Sequence, residues 1–370
     1  MSWREMVLNH FGPGMQGGIA LGDWLKLLRD NRFAIAPGCA VRAMSITAHA
    51  CQNSLLKRIE HRRFGAKVGA VTVEPPLFLL GHWRSGTTHL HNLLAADERW
   101  AFPNNYQANF PHAFLTTEAV NSPLFQSFLP PRRPMDNIEW TIRSPQEDEF
   151  ALFNTTCISS YIGWVFQTRR EFYDRYLTMR EATDGEIERW KAALTLFLKK
   201  LTWKYRRPLV LKSPPHTCRI RLLLELFPDA RFVHIHRNPY AVFQSSQHTF
   251  RVIFELHRLQ RYRREDLDEW ILRQYRTMYD AFFEERELIL SGRFHEICYE
   301  DLKTDPMGQM RNMYEALDLP DFADSEPALQ RYVDSIAGYQ KNSFGSLSND
   351  QRQQVAERWR PCFDEWGYAV

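Results

Sequence analysis

Between Leu80 and Leu94 the chain reads LGHWRSGTTHLHNLL, which sets Gly81 and Gly86 with four residues between them, ahead of a threonine pair. The stretch differs by one residue from the phosphate-binding pattern GxxxxGK[ST]. Backbone N–H groups of such a loop, with those of the helix behind it, form an anion cradle. Thr87 stands where the lysine would be, and Arg84 lies inside the loop. In kinases and nucleotidases that lysine reaches the β- and γ-phosphates beside Mg²⁺. Thr87 can do neither task, whereas Arg84 can hold a terminal oxygen bidentately. The loop therefore suits a compact anion without a triphosphate tail or a bound metal. The plain alternative is a tight turn that merely needs glycine.

Three more places carry chemistry. Arg237 follows the apolar run RFVHIH, and Ser245 comes eight residues later, so both can grip a second phosphate at another strand end. Lys212 closes the run LVLK, where its charge can stabilise a departing group. Glu147-Asp148-Glu149 precedes apolar FALF, which should draw part of the run inward and suit it to take a proton. His216 and His112 are the other proton acceptors considered. His234 and His236 alternate onto one strand face without a third ligand in sight, so they read as strand residues rather than a metal site.

The elements that must position these groups can be read from the apolar runs. Leu77–Leu80, Leu209–Lys212, Arg231–His236 and the segment around 293–302 read as strands, each followed by a helix. Asn238 suits a helix N-cap and Pro239 the first helical position, and Asp305-Pro306 repeats the signal. Strand–helix alternation predicts an α/β fold with a parallel sheet flanked by helices, whose ligands bind at the carboxyl ends of the strands. Residues 1–70 read as a helical extension packed on the main domain, 71–370. Within that domain, 100–185 reads as an irregular inserted lid or acceptor region. Ile187, Trp190, Leu194, Phe197 and Leu201 restore helical spacing.

Composition bounds the partners. A net charge of +3 on 370 residues argues against a nucleic-acid coat. Six scattered cysteines without CxxC spacing favour a reducing, cytoplasmic setting. No apolar run reaches the ~18 residues of a membrane span. The basic run KRIEHRR near the end of the extension leaves peripheral contact with a membrane surface as the sharper reading of these helices.

HWRSGTTH, LKSPPHT and RNPYAVFQSS, followed by YEDLKTDP, together resemble the sulfotransferases that use 3′-phosphoadenosine 5′-phosphosulfate (PAPS), and most closely their bacterial-type branch with PQEDEFAL. The resemblance covers roughly residues 70–370 and implies a P-loop-type fold, with no metal. It implies in-line transfer of a sulfuryl group to a hydroxyl or amine of a small-molecule, glycan or lipid acceptor, leaving PAP. It assigns Arg84, Ser85, Gly86, Thr87 and Thr88 to the 5′-phosphosulfate and Arg237 and Ser245 to the 3′-phosphate. Lys212 falls to the leaving group. Lys341 resembles only loosely the basic loop that closes over the 3′-phosphate. The family's cytosolic members place a histidine base where this chain has Pro214, so the acidic run with Glu147 and Glu149, His216 and His112 remain open, with the carboxylates favoured. The competing readings are a nucleotide kinase or NTPase, which lacks its lysine here, and a catalytically silent binding module.

Overall fold

The computed structural model describes residues 12, 14–261, 267–338, 342 and 345–370. Two compact units divide the chain. One is built from the described residues of Glu74–Phe102, Arg207–Thr249 and Glu265–Val370 and holds the sheet. Its strands are β1 (Leu77–Leu80), β2 (Val210–Lys212), β3 (Arg231–His236) and β4 (Phe294–Cys298). All pairings are parallel, in the order β2-β1-β3-β4. β1 is buried along its whole length, as an unbroken LFLL run covered on both faces must be. Leu77 and Leu79 point into one layer with Leu90, Leu93, Val233, Ile297 and Met310. Phe78 points the other way, stacked on Phe232 at 5.6 Å with the His216 ring edge-on at 5.5 Å. Because β2 and β3 flank β1 on opposite sides, the winding reverses between β1 and β3. A crevice opens at such a reversal, outside the carboxyl ends of the strands.

The second unit comprises the described residues of Met1–Val73, Pro103–Arg206 and Phe250–Arg264 and is helical. Its Asp184–Tyr205 helix starts on a Thr183/Glu186 capping box and buries Trp190, Leu194, Phe197, Leu198 and Leu201. The 30-residue Ala40–Gly69 helix contributes Glu60, whose Oε1 lies 2.6 Å from Lys200 Nζ. Burial pushes the Glu60 carboxyl up against the pull of Lys200, and burial pushes the Lys200 ammonium down.

The segment expected to be irregular contains Asn105–Asn109, Phe114–Phe128, Glu149–Thr156, Ile162–Val165 and Arg170–Asp174 as helices. Most are one or two turns long, and the longest contains Pro123. Sequence periodicity fails over such short pieces. Side chains settle them instead: Asn104 and Gln107 form a reciprocal capping box for the first.

Candidate active site

The loop after β1 takes its shape from two glycines. Gly81 and Gly86 have φ of +143° and +105°, and an added Cβ would meet Ile235 O at 2.6 Å and Tyr299 Cδ2 at 2.3 Å respectively. Only glycine fits either place. Arg84 itself holds a left-handed φ of 72°. Ser85 Oγ donates to His82 O at 2.7 Å, and Gly81 N–H donates to Thr217 Oγ1 at 2.7 Å, so the loop is braced from within and from the turn after β2. Gly86 is the N-cap of the Thr87–Ala96 helix, and among the described residues no side chain caps that start. Its first N–H groups therefore face the loop as anion donors.

The two anion-binding stretches expected at separate strand ends adjoin, because β1 and β3 are neighbours. Arg84 Nε donates to Ser245 Oγ at 2.8 Å, and an Arg237 terminal nitrogen donates to Arg84 O at 3.0 Å. The Arg237 guanidinium lies 4.5 Å over the Tyr299 ring. Arg237 is only 7% exposed, and its buried Nε has no hydrogen-bond partner among the described residues. Burial pushes its guanidinium below the usual range. A buried cation with an unmet donor is costly unless an anion completes it. Lys212 ends β2 opposite Leu79 of β1 and is buried.

A second layer surrounds Arg237. Asn238 N–H donates to Glu300 Oε1 at 3.3 Å, and the Tyr368 hydroxyl donates to Glu300 Oε2 at 2.9 Å. Tyr368 Oη also lies 3.0 Å from His236 Nδ1, and the His236 ring stacks on Trp366 at 4.8 Å. Burial pushes His236 down to about 4. Burial alone would raise the Glu300 carboxyl, but hydrogen bonds from Cys298, Tyr368 and the backbone hold it below the usual carboxylate range.

The proposed proton acceptors are divided between the units. Glu147 and Glu149 belong to the helical unit. Asp148 and Glu149 are fully buried and Glu147 is half-buried, so the acidic run is drawn inward. Ser159 Oγ donates to Glu149 at 2.6 Å and Tyr161 Oη to Glu147 at 2.5 Å. His112, in the same unit, is pushed down to about 3 by burial. His216 lies in the sheet unit, buried in the turn Pro214–Cys218. His234 Nδ1 is 2.7 Å from Glu296 Oε1, and no cluster of three or more metal-ligating side chains occurs among the described residues. Lys341 lies outside the described residues.

Residues 75–324 match the family model described as the sulfotransferase family. The chain belongs to the sulfotransferase family. Over 367 residues it is 37% identical to the omega-hydroxy-beta-dihydromenaquinone-9 sulfotransferases Stf3 of Mycobacterium bovis and Mycobacterium tuberculosis, covering 99% of this chain and 93% of theirs. In fold this sulfotransferase is similar to STF9 from Mycobacterium avium, with a TM-score of 0.74 at 22% identity over 92% of this chain and 89% of that one. It is likewise similar to STF1 from Mycobacterium tuberculosis, with a TM-score of 0.67 at 17% identity over 92% of each chain. The α/β architecture of a parallel sheet flanked by helices is thus that of the P-loop-like sulfotransferases.

Four residues packed around the loop and Arg237 escaped sequence reasoning. Thr217 follows the lysine strand and Tyr299 and Glu300 lie in the YEDL segment, so their motifs were visible but not their contacts. Tyr368, near the chain end, carries no local signal at all.

Proposed function

We propose that this sulfotransferase takes PAPS as donor and transfers its sulfuryl group to the hydroxyl of a lipid acceptor. The observation that carries the donor reading is the buried, unmet Nε of Arg237 beside a glycine-shaped loop at the start of an uncapped helix. Both features fit an anionic nucleotide end, and the loop lacks the lysine that a triphosphate requires.

PAPS supplies the sulfuryl group, whose bond to the 5′-phosphate oxygen breaks as the bond to the acceptor oxygen forms. Arg84, Ser85, Gly86, Thr87 and Thr88 hold the 5′ end through backbone and side-chain donors. Arg237 and Ser245 hold the 3′-phosphate, and Ser245 already accepts from Arg84. Lys212 places its charge where negative charge grows on the leaving oxygen. Glu147 or Glu149 takes the acceptor proton, with His216 as the other assignment. Tyr161 and Ser159 fix the two carboxylates by hydrogen bonds.

For the acceptor, 37% identity over nearly the whole chain to the omega-hydroxy-beta-dihydromenaquinone-9 sulfotransferases supports a hydroxylated isoprenoid quinone of that kind. Such an acceptor resides in a bilayer, so peripheral contact through the N-terminal helices belongs to the same reading. So does a cytoplasmic setting, supported by six cysteines that form no disulfide among the described residues.

The test combines binding with turnover. PAP should raise the melting temperature more than ATP, with no effect of EDTA, and PAPS with an ω-hydroxylated menaquinol should yield the sulfate ester by mass spectrometry. Equal shifts from ATP and PAP would refute the donor. A PAP shift without any sulfated quinone would refute the acceptor, and absence of turnover on every alcohol and amine tried would leave a silent binding module.

A further inference from the structure

We propose that the outer face of the Ala40–Gly69 helix docks on an anionic lipid bilayer. Val41, Met44 and Leu55 are 46%, 64% and 60% exposed. With Ala48 they recur at three-, four- and seven-residue steps, which places them on one stripe of the helix. The opposite side carries the buried Ile46, Ala50, Asn53 and Glu60. Seven residues past Leu55, Arg62 continues the same stripe, and Arg58, Arg63 and Lys67 stand exposed around it. The single carboxylate of the helix, Glu60, is buried and paired with Lys200. The outward surface is therefore apolar at one end, cationic at the other, and without negative charge. Apolar side chains insert at the headgroup boundary while arginines and lysines meet anionic headgroups. A second copy is the poorer occupant, since two such cationic ends would repel. The inference rests on the peripheral contact that a lipid acceptor implies and names its helix and lipid class, and because binding is read without turnover its failure is distinguishable from failure of the reaction.

The experiment is flotation of the full chain with phosphatidylcholine vesicles and with phosphatidylcholine–phosphatidylglycerol vesicles. The chain should float with the mixed vesicles only, and added salt should release it. The double variant Met44→Glu/Leu55→Glu should lose flotation at an unchanged melting temperature. Arg62→Glu/Arg63→Glu should weaken it by at least about tenfold. Three results overturn the proposal: no flotation of the wild type, variants that float like it, or a wild-type dimer that Met44→Glu/Leu55→Glu converts to monomer.

A separate observation carries a second inference: the geometry points to Tyr368 as a positioning residue for Arg237. Gly367, at φ +67°, ends the Arg360–Trp366 helix, and Tyr368 N–H donates back to Phe363 O at 3.0 Å. That turn aims the Tyr368 ring at the strand ends. Its hydroxyl meets His236, Cys298 and Glu300 at 3.0, 3.5 and 2.9 Å. His236 precedes Arg237, Glu300 holds the N–H of Asn238 after it, and Tyr299 between Cys298 and Glu300 lies under its guanidinium. One hydroxyl thus ties His236 directly, and Asn238 through Glu300, to both neighbours of the ring partner of Arg237.

This inference rests on the proposed role of Arg237. Tyr368→Phe and Glu300→Gln should each weaken PAP binding by about three- to tenfold, with turnover at saturating PAPS retained. In an Arg237→Ala background the Tyr368→Phe loss should vanish, as for two residues acting through one contact. An undiminished loss in that background overturns the positioning role, as does wild-type affinity in both single variants. If Arg237→Ala itself left PAP affinity intact, the reading of Arg237 would fall and this inference with it.

Discussion

The sheet unit and the helical unit are built on different terms. In the sheet unit, short motifs at strand ends meet across neighbouring strands: the Gly81–Thr88 loop from β1 and Arg237 from β3 are joined through Arg84 and Ser245. In the helical unit, side chains of separate helices pair directly, as in Glu60 with Lys200, and the acidic run is held by Ser159 and Tyr161, close by in sequence. The difference teaches that short motifs suffice where neighbouring strands bring them together, whereas a helical packing fixes its charged groups pair by pair.

The proposed function puts proton removal in the helical unit and donor binding in the sheet unit, and the strongest test of that division is on the carboxylates. Glu149→Gln or Glu147→Gln should cut turnover by about 10²–10⁴-fold with PAP affinity unchanged. If both keep near-full turnover while His216→Asn loses it, all the chemistry belongs to the sheet unit. The next effect is on stability. Lys200→Met strands the buried Glu60 and should cost about 3–5 kcal/mol in urea unfolding. Because burial already raises the Glu60 carboxyl, its protonation relieves the stranded charge, so the loss should shrink as pH falls. A neutral Lys200→Met would mean that the helical unit does not depend on this pair.

Within the sheet unit, Lys212→Ala should reduce kcat by about 3 kcal/mol in barrier and barely change PAP affinity, since its partner charge develops in the transition state. The reverse pattern would make Lys212 a binding residue. Arg237→Ala should weaken PAP binding by about 1.5–3 kcal/mol, measured by calorimetry, and an unchanged affinity would remove β3 from the donor site. One further effect spans both units. Burial depresses His82 and His112 to about 3 and His236 to about 4 from an ordinary 6.5. The unfolded chain then takes up protons that the folded chain refuses, so stability should fall as pH drops below 6.5 toward 4. Each histidine contributes up to about 1.4 kcal/mol per pH unit across that window. Thermal melts at about pH 7 and about pH 5 check it, and His112→Asn against His236→Asn shows which unit carries the larger share.

What the sequence determined by itself is what local rules can encode. Leu77–Leu80 is a strand because an unbroken apolar run suits a position covered on both faces. Thr87–Ala96 begins at Gly86 because the loop needs a positive φ there. Asn238 caps the next helix as its side chain foretells, accepting from Ala241 N–H at 3.3 Å. The glycine loop, Arg237 and Lys212 were legible as residue types at strand ends, and Ser245 as a hydroxyl in the helix after β3. Tertiary structure alone decided that Arg84 reaches Ser245, 161 residues away, that Tyr299 lies under Arg237, and that Tyr368 closes on His236 and Glu300. It also made helices of 105–174, whose pieces are too short to show a period and are fixed by caps and burial. The physical reason is range. Dihedral preference, capping and periodicity act within a few residues, whereas the partners of a side chain depend on which strand lies beside which, and only packing of the whole sheet sets that order.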